Sequence, residues 1–181
     1  EDIDQSGLSL TTLPTLGTSW LTPRLGRFRA QHPEVVIELD LSAEAHDLGA
    51  GGFDAAIRNG DGRWPGLRTF ELLPSIFMPL CIPELKDAAA AALAAPRSRF
   101  ELPLLGRPDW WALWYRARGC TEGPPRDGFG TNLSAEFLDV AAALAGHGIT
   151  IGSPILFSGE LESGRLVPAH DFVAGDGRSF W

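Results

Sequence analysis

The side chains best suited to bind a small molecule lie in two short stretches, each directly ahead of a predicted helix. They are hydroxyl, amide and glycine residues, namely Thr15, Gly17, Thr18, Ser19, Asn132 and Ser134. Such groups at the positive end of a helix suit a carboxylate or another small anion, because the first backbone N–H groups have no partner within the helix. The alternative is that Thr18, Ser19 and Ser134 are ordinary helix caps, and for these three residues the sequence leaves both interpretations open.

The sequence lacks the residue patterns that metal binding or catalysis would need. Its four histidines are not spaced as metal ligands, and it contains neither a G-x-S-x-G nucleophile turn nor a phosphate-binding P-loop. Cys81 and Cys120 lie far apart, which favours two buried free thiols over a disulfide or a metal-binding pair. We therefore expect no enzyme activity, no metal ion and no cofactor.

Composition and charge indicate an acidic globular protein. The 181 residues are 44% hydrophobic and 21% charged, which is enough for one or two domains with a packed core. The net charge of −8 argues against direct binding to nucleic acid by this chain. No signal peptide and no apolar run of about 18 residues is present, so we expect no membrane contact.

The N-terminal part of the chain predicts a β-α-β unit. Leu8–Thr12 alternates as a short strand, and the segment after it carries apolar residues on one helix face, at Leu21, Leu25 and Phe28. Pro33 ends that helix, and Val35–Leu41 follows as an apolar, β-branched run typical of a strand. Leu13–Ser19 is expected to be the loop between the first strand and the helix. This order implies a parallel sheet with a right-handed crossover.

Later elements alternate in the same way and predict an α/β fold. Helices are expected at Leu85–Ala95, Asp109–Tyr115 and Ser134–Ala145, the last with its apolar face at Phe137, Val140, Ala141 and Leu144. Prolines interrupt the strand-like stretches near Leu73–Pro79, which predicts a crossing between two lobes there and a return near Gly152–Ile155. Residues 1–74 with 155–181 would form lobe I, and residues 75–154 would form lobe II.

Three tryptophans crowd one predicted helix, at Trp110, Trp111 and Trp114. They could form a flat platform for a sugar or a base. Packing in the core is the interpretation that the apolar spacing favours.

Five segments, in this order and at this spacing, resemble the effector-binding domain of LysR-type transcriptional regulators. They are WLTPRLGRFRAQHPEVVIEL, FDAAIRNGDGRWPGL, PLCIPEL, AAALAGHGITIG and LESGRLV. The resemblance covers nearly the whole chain and points to the branch that contains the glycine-cleavage activator and the β-lactamase inducer regulators. It implies two Rossmann-like lobes joined by two crossing strands, as in type 2 periplasmic solute-binding proteins.

The resemblance also implies a regulatory role in the bacterial cytoplasm. A small effector, amino-acid-like, peptide-like or a carboxylate, would bind in the cleft between the lobes and shift the lobe angle or the packing of a homodimer or homotetramer. DNA would be bound only through an N-terminal winged helix-turn-helix, which is expected to lie outside this sequence. The alternative function is a free-standing solute-binding receptor of a transport system, which shares the fold.

Sequence pattern and resemblance together assign nine residues to the effector site. They are Thr15, Leu16, Thr18, Arg58, Asn132, Ser134, Ile155, Phe157 and Phe180. Thr15 matches a loop position that contacts effector in several family members. Arg58 could pair with an anion, but it belongs to the A-I-R-x-G framework motif of the family, which favours a structural role. Phe180 stands where relatives place an aromatic residue near the ligand, and it has no hydroxyl to donate.

Overall fold

The chain folds into two α/β units. The computed structural model describes residues 7–44, 48, 52–94, 102–120, 123–124, 128–131 and 133–181. One unit comprises Glu1–Pro74 and Arg178–Trp181, and the other comprises Ser75–Gly177. The chain passes from one unit to the other within strand β5 (Leu73–Cys81) and returns within strand β10 (Ala174–Phe180).

The first unit is built on a small parallel sheet. Its strands are β1 (Gly7–Thr12), β2 (Val36–Leu41) and β3 (Ala55–Ile57). Their order is β2-β1-β3, and β1 runs parallel to both neighbours. A short strand, β4 (Asn59–Gly60), pairs antiparallel with the end of β10. The parallel β-α-β unit predicted from the sequence is therefore confirmed.

The connection from β1 to β2 is helical almost from its start. It consists of α1 (Pro14–Leu16), a π-helical turn (Gly17–Leu21) and α2 (Thr22–Gln31), with helical backbone at each junction. Leu13 is extended, and Pro14 suits the first helical position because its ring presets φ and its missing N–H has no partner to lose. The prediction of a loop at Leu13–Ser19 was therefore wrong, and Thr15 and Thr18 lie on the first turns of the helix.

The π-helical turn lies directly ahead of a proline inside the helix. The backbone N–H of Thr22 bonds to the carbonyl of Gly17, five residues back, and the Thr22 hydroxyl donates to the same oxygen at 2.7 Å. Pro23 has no N–H to donate, and its ring needs space near the preceding turn. A widened turn at this point gives the ring that space, which explains why the helix continues through the proline.

The end of this helix follows the sequence prediction. α2 stops at Gln31, and His32 leaves helical geometry with φ −132° and ψ 66° ahead of Pro33. β2 then begins at Val36. The predicted helix stop and the predicted strand at Val35–Leu41 are both confirmed.

The described residues of the second unit form a mixed sheet and four α-helices. Besides β5, its strands are β6 (Leu104–Leu105), β7 (Phe129–Thr131), β8 (Ile149–Gly152) and β9 (Val167–Pro168). Its helices are α3 (Lys86–Ala94), which follows a 3₁₀ turn (Pro83–Leu85), α4 (Pro108–Ala117), α5 (Glu136–Leu144) and α6 (Ser158–Glu162). β6 is parallel to β7 and β8, whereas β5 is antiparallel to β8 and β9. None of the described helices combines the length and apolarity needed to cross a bilayer.

Aromatic residues of α4 fill the core of the second unit. Trp111, Trp114 and Tyr115 have no exposed surface, and the rings of Trp114 and Tyr115 meet edge to face with centroids 5.2 Å apart. The indole N–H of Trp111 donates to the Leu105 carbonyl at 2.9 Å, and that of Trp114 donates to the Phe172 carbonyl at 2.8 Å. Core packing is therefore confirmed for these two tryptophans, because buried rings with satisfied N–H groups cannot serve as a platform.

The two cysteines are free thiols. Cys81 is buried and Cys120 is half-buried. Burial raises the pKa of the Cys81 thiol to about 11, against the opposing charge of Lys86, so this thiol stays protonated at neutral pH. Within the described ranges, no three potential ligands come together in a way that could hold a metal ion.

The boundary between the units differs from the predicted one at its second crossing. Residues 155–177 group with the second unit rather than with lobe I. β9 pairs with β5, and the Ala169 N–H donates to the Pro79 carbonyl at 2.9 Å. These contacts attach the segment to the second unit, so the chain returns within β10 and not at Gly152–Ile155.

The prolines of β5 do not interrupt it. β5 is a single strand of nine residues that includes Pro74 and Pro79, and Pro79 lies opposite Ile151 of β8. The expectation of a broken, irregular crossing was therefore wrong. Pro79 has no N–H to donate, and it stays bonded to the residue after β9 because its carbonyl accepts from the Ala169 N–H.

Gly148 offers a test of how closely the second sheet is packed. It has φ +151°, and a β-carbon there would lie 2.1 Å from the Pro103 carbonyl oxygen. We expect Gly148→Ala to lower the free energy of unfolding by about 2 kcal/mol or more, because the obstacle is backbone and cannot rotate away. Urea denaturation measures the change. Gly159→Ala is the control, since no atom lies within 4 Å of its added methyl group and it lies within α6. Equal stability of Gly148→Ala and wild type would contradict this packing.

Candidate functional site

In the first unit, the carboxyl ends of three parallel strands share one edge of the sheet. β1, β2 and β3 end at Thr12, Leu41 and Ile57, and α1 begins two residues after β1. We call this the first-unit edge. Open α/β sheets bind ligands beyond such strand ends. The Thr12 hydroxyl is buried here with no hydrogen-bond partner among the described residues, which marks the edge as a place where a polar group is unsatisfied.

Thr15 and Thr18 lie on the first helical turns beyond this edge. Thr15 is 9% exposed, and Thr18 is exposed with its hydroxyl donating to the Pro14 carbonyl at 2.9 Å. The Thr18 oxygen keeps its capacity to accept a hydrogen bond. Leu16, between them, has no exposed surface and packs in the core, so its side chain offers nothing to a ligand.

Arg58 is held in a polar network at the end of β3. Its guanidinium donates to the Ser42 carbonyl at 2.5 Å and to the Thr11 hydroxyl at 2.8 Å, and that hydroxyl donates to Asp40 at 2.9 Å. Burial lowers the pKa of the Arg58 guanidinium, and the negative charge of Asp40 opposes the shift. The framework role of Arg58 therefore has direct support, because its donors join β1, β2 and β3 at their carboxyl ends.

Phe180 lies at the end of β10 within the first unit. It is 9% exposed, it pairs with Asn59 of β4, and its carbonyl accepts from the Leu72 N–H at 2.8 Å. The neighbouring Ser179 hydroxyl donates to Glu71 at 2.6 Å. Backbone pairing therefore holds Phe180 in place, and little of its side-chain surface remains exposed for contact with a ligand.

The second unit has a corresponding edge at the ends of β6, β7 and β8. These parallel strands end at Leu105, Thr131 and Gly152. We call this the second-unit edge. The helix cap predicted for α5 was wrong: Ala135 is the N-cap residue, with extended backbone and no side-chain cap, while Ser134 lies one residue earlier and is exposed. Asn132 lies outside the described residues.

The turn after β8 carries two further predicted residues. Ile155 is half-buried, and Phe157 is only 2% exposed and ends the turn ahead of α6. The Ser153 hydroxyl accepts from the N–H groups of Ile155 and Leu156, each at 3.3 Å. Ile155 therefore has surface at the second-unit edge, whereas Phe157 belongs to the packed interior.

Two carboxyl groups at the second-unit edge were missed by the sequence analysis. Glu136 accepts from the Ser153 N–H at 2.7 Å, and Asp139, 3% exposed, accepts from the Leu133 N–H at 3.4 Å. The buried face of α5 carries Asp139, Val140 and Ala143, so it is turned relative to the predicted one. No pattern in the sequence distinguishes these acids from solvated ones, because acidic residues in the first turn of a helix are ordinarily exposed near its positive end.

Burial dominates the electrostatics of these two acids. Burial raises the pKa of Glu136 to about 7, the Ser153 N–H opposes this shift, and the charge of Asp139 adds to it. Burial likewise raises the pKa of Asp139, against the hydrogen bond from Leu133. Two acids next to the start of α5 counteract its positive end, so the expectation that this helix start suits a carboxylate loses support.

Sequence comparison assigns the chain to a family. The sequence profile described as LysR substrate binding domain matches residues 4–174. This chain belongs to that family. The relatives of the LysR-type domain include the transcriptional activator AmpR of Pseudomonas aeruginosa, 32% identical over 161 residues, which is 86% of this chain and 52% of the relative. The glycine cleavage system transcriptional activator of Escherichia coli is 30% identical over 173 residues, or 93% of this chain and 55% of the relative.

Solved structures support the same assignment of the LysR-type domain. The AmpR effector binding domain from Citrobacter freundii superimposes with a TM-score of 0.78 at 27% identity, over 98% of this chain and 86% of that one. The effector domain of AmpR from Pseudomonas aeruginosa gives 0.74 at 28% identity, over 98% and 83%. The fold is thus the α/β, type 2 periplasmic-binding-protein-like fold of LysR-type effector-binding domains, and the predicted branch is confirmed. The chain spans about half the length of the curated relatives it matches.

The framework role of Arg58 can be tested by stability. We expect Arg58→Met to lower the free energy of unfolding by about 2 kcal/mol, because the Thr11 hydroxyl and the Ser42 carbonyl lose a charged donor. Arg27→Met, an exposed position on α2, is the matched control and should leave stability nearly unchanged. Thermal and urea denaturation measure both variants. If Arg58→Met proved as stable as the control, the network would not be structural.

Proposed function

We propose that this chain senses a small metabolite for a LysR-type transcriptional regulator and binds it at the strand ends. The observation that carries the proposal is the position of Thr15, on the first helical turn directly after β1 in a chain of this family. The first N–H groups of a helix have no partner within the helix itself, which favours a negatively charged group near the helix start. An effector with a carboxylate, or an amino-acid-like effector, suits this first-unit edge.

Residues of the proposed contact set differ in what they can contribute. Thr15, Thr18, Ser134 and Ile155 are the members with a polar group or partial exposure at a strand edge, while Phe180 contributes at most a small part of its ring. Asn132 remains in the proposed set. Arg58, Leu16 and Phe157 support the site by holding the framework or filling the interior.

The activity of the whole regulator is also a proposal, since this chain matches only part of its relatives. The relatives named above are transcriptional activators, and AmpR bears the designation HTH-type, so we propose that a helix-turn-helix outside this sequence binds DNA. The protein that responds to effector binding would be a homodimer or homotetramer in the bacterial cytoplasm. No observation favours the transport receptor or an enzyme over this role.

Thr15→Val tests the effector site. A thermal-shift screen with amino acids and small carboxylates first identifies a ligand of the wild type, and calorimetry then measures its affinity for both proteins. We expect affinity to fall roughly five- to tenfold, as the loss of one hydrogen bond to the effector predicts, while the domain stays folded. Thr22→Val is the matched control, because the Thr22 hydroxyl is engaged with the Gly17 carbonyl further along the helix. Unchanged affinity for a confirmed effector would remove Thr15 from the site.

A second prediction concerns DNA. The chain itself, with a net charge of −8, should not retard duplex DNA at physiological salt, because strong DNA binding requires several cationic contacts to phosphates. A gel-shift titration at two salt concentrations measures this. Tight and salt-sensitive DNA binding by these 181 residues would contradict the proposal that DNA is bound by residues outside this sequence.

A further inference from the structure

The second-unit edge contains two acids that join separate loops to one helix. Glu136, on the first turn of α5, accepts from the Ser153 N–H in the turn after β8 at 2.7 Å. Asp139, one turn further, accepts from Leu133 in the segment after β7. Asp139 also borders the loop after β6, since a β-carbon on Gly106 would lie 3.2 Å from its Oδ2. We call Glu136 and Asp139 the acidic tie.

The surroundings of the acidic tie contain no described cation that neutralises it. α5 packs against β8 and β6, and the residues of these strands, Ile149–Gly152 and Leu104–Leu105, carry no charge. Arg107, which follows β6, is engaged with Asp109 through two hydrogen bonds of 3.1 and 2.6 Å. The described partners of the two acids are therefore backbone N–H groups, from Ser153 to Glu136 and from Leu133 to Asp139, and the charge of Asp139 acts on Glu136.

Simultaneous ionisation of Glu136 and Asp139 is unfavourable in these surroundings. Removal from water penalises each ionised form, and the charge of Asp139 further penalises ionised Glu136. The hydrogen bond from Ser153 favours the ionised form of Glu136, because an N–H binds a carboxylate more strongly than a neutral carboxyl. The strength of the contact between α5 and the turn after β8 thus depends on the proton that Glu136 holds or releases.

We infer that the acidic tie is a proton-responsive link between the start of α5 and the loops of the second-unit edge. Protonated Glu136 makes a weaker bond to Ser153, and ionised Glu136 makes a stronger one at the cost of a charge on a half-buried side chain. The pKa of about 7 places this change near neutral pH. The link is a property of the protein without ligand, and only its effect on effector binding rests on the proposed function.

The experiment is a titration of the 181-residue chain by NMR from pH 5 to 9. The side-chain carboxyl carbon of Glu136 and the amide proton of Ser153 are followed together. We expect both to change with one midpoint near pH 7, with the Ser153 amide proton moving downfield as Glu136 ionises. Glu136→Gln should abolish the step at Ser153, and Asp139→Asn should move the Glu136 midpoint to lower pH. Glu162→Gln, an exposed position on α6, is the matched control and should leave both signals unchanged.

A second measurement covers the case in which a variant folds poorly. A raised pKa of an acid in the folded state contributes stability at low pH that is lost as the pH rises between about 4.5 and 7. The urea midpoint of Glu136→Gln should therefore rise relative to wild type between pH 5 and pH 8. A Glu136 midpoint below pH 5 in the wild type, a flat Ser153 signal, or a step that persists in Glu136→Gln would each overturn the inference. None of these results bears on effector affinity, so failure here and failure of the effector screen are distinguishable.

Discussion

Parallel pairing of neighbouring strands is the constraint from which both candidate edges follow. Parallel strands cannot be joined by a tight turn, so the chain must cross back, and each crossover helix begins where the preceding strand ends. β1 leads into α1 in this way, and β7 leads into α5. Helix starts, strand ends and their polar side chains are thereby collected at one edge of each sheet. The position of Thr15 and of Glu136 is a consequence of topology and does not require any special local propensity.

The sequence predicted elements well where hydrophobic period and chain breakers agreed. The stop at Pro33 and the strand that follows it have both signals, whereas α3 was predicted from its alanine content and the proline after it. The prediction from sequence failed where a proline is compatible either with a regular element or with a break in one. Pro14 begins a helix, and Pro79 lies inside β5, because each site needs no donor at that nitrogen, and this is decided by pairing across the fold.

The site was predictable in part for the same reason. A hydroxyl after the first strand follows from the β-α-β pattern together with the family resemblance, and Thr15 does follow β1, although it lies on the first helical turn and not in the predicted loop. The role of Arg58 depends on partners far away in sequence, Thr11 and Ser42, which no local pattern reveals. Asp139 was missed because acids in a first helical turn are usually solvated, and a rotation of α5 by about one residue decides between solvent and core.

The two edges differ in the charge of the ligand group that they favour, and this difference limits what each edge can bind. At the first-unit edge, hydroxyls accompany a helix start with no acid in its first turn. At the second-unit edge, the helix start is preceded by Ser134 but followed by Glu136 and Asp139, and the Ser153 N–H is already used by Glu136. An anion is therefore favoured only at the first. A group that meets the second edge must supply hydrogen-bond donors, or must take Ser153 away from Glu136 and leave that carboxyl to gain a proton.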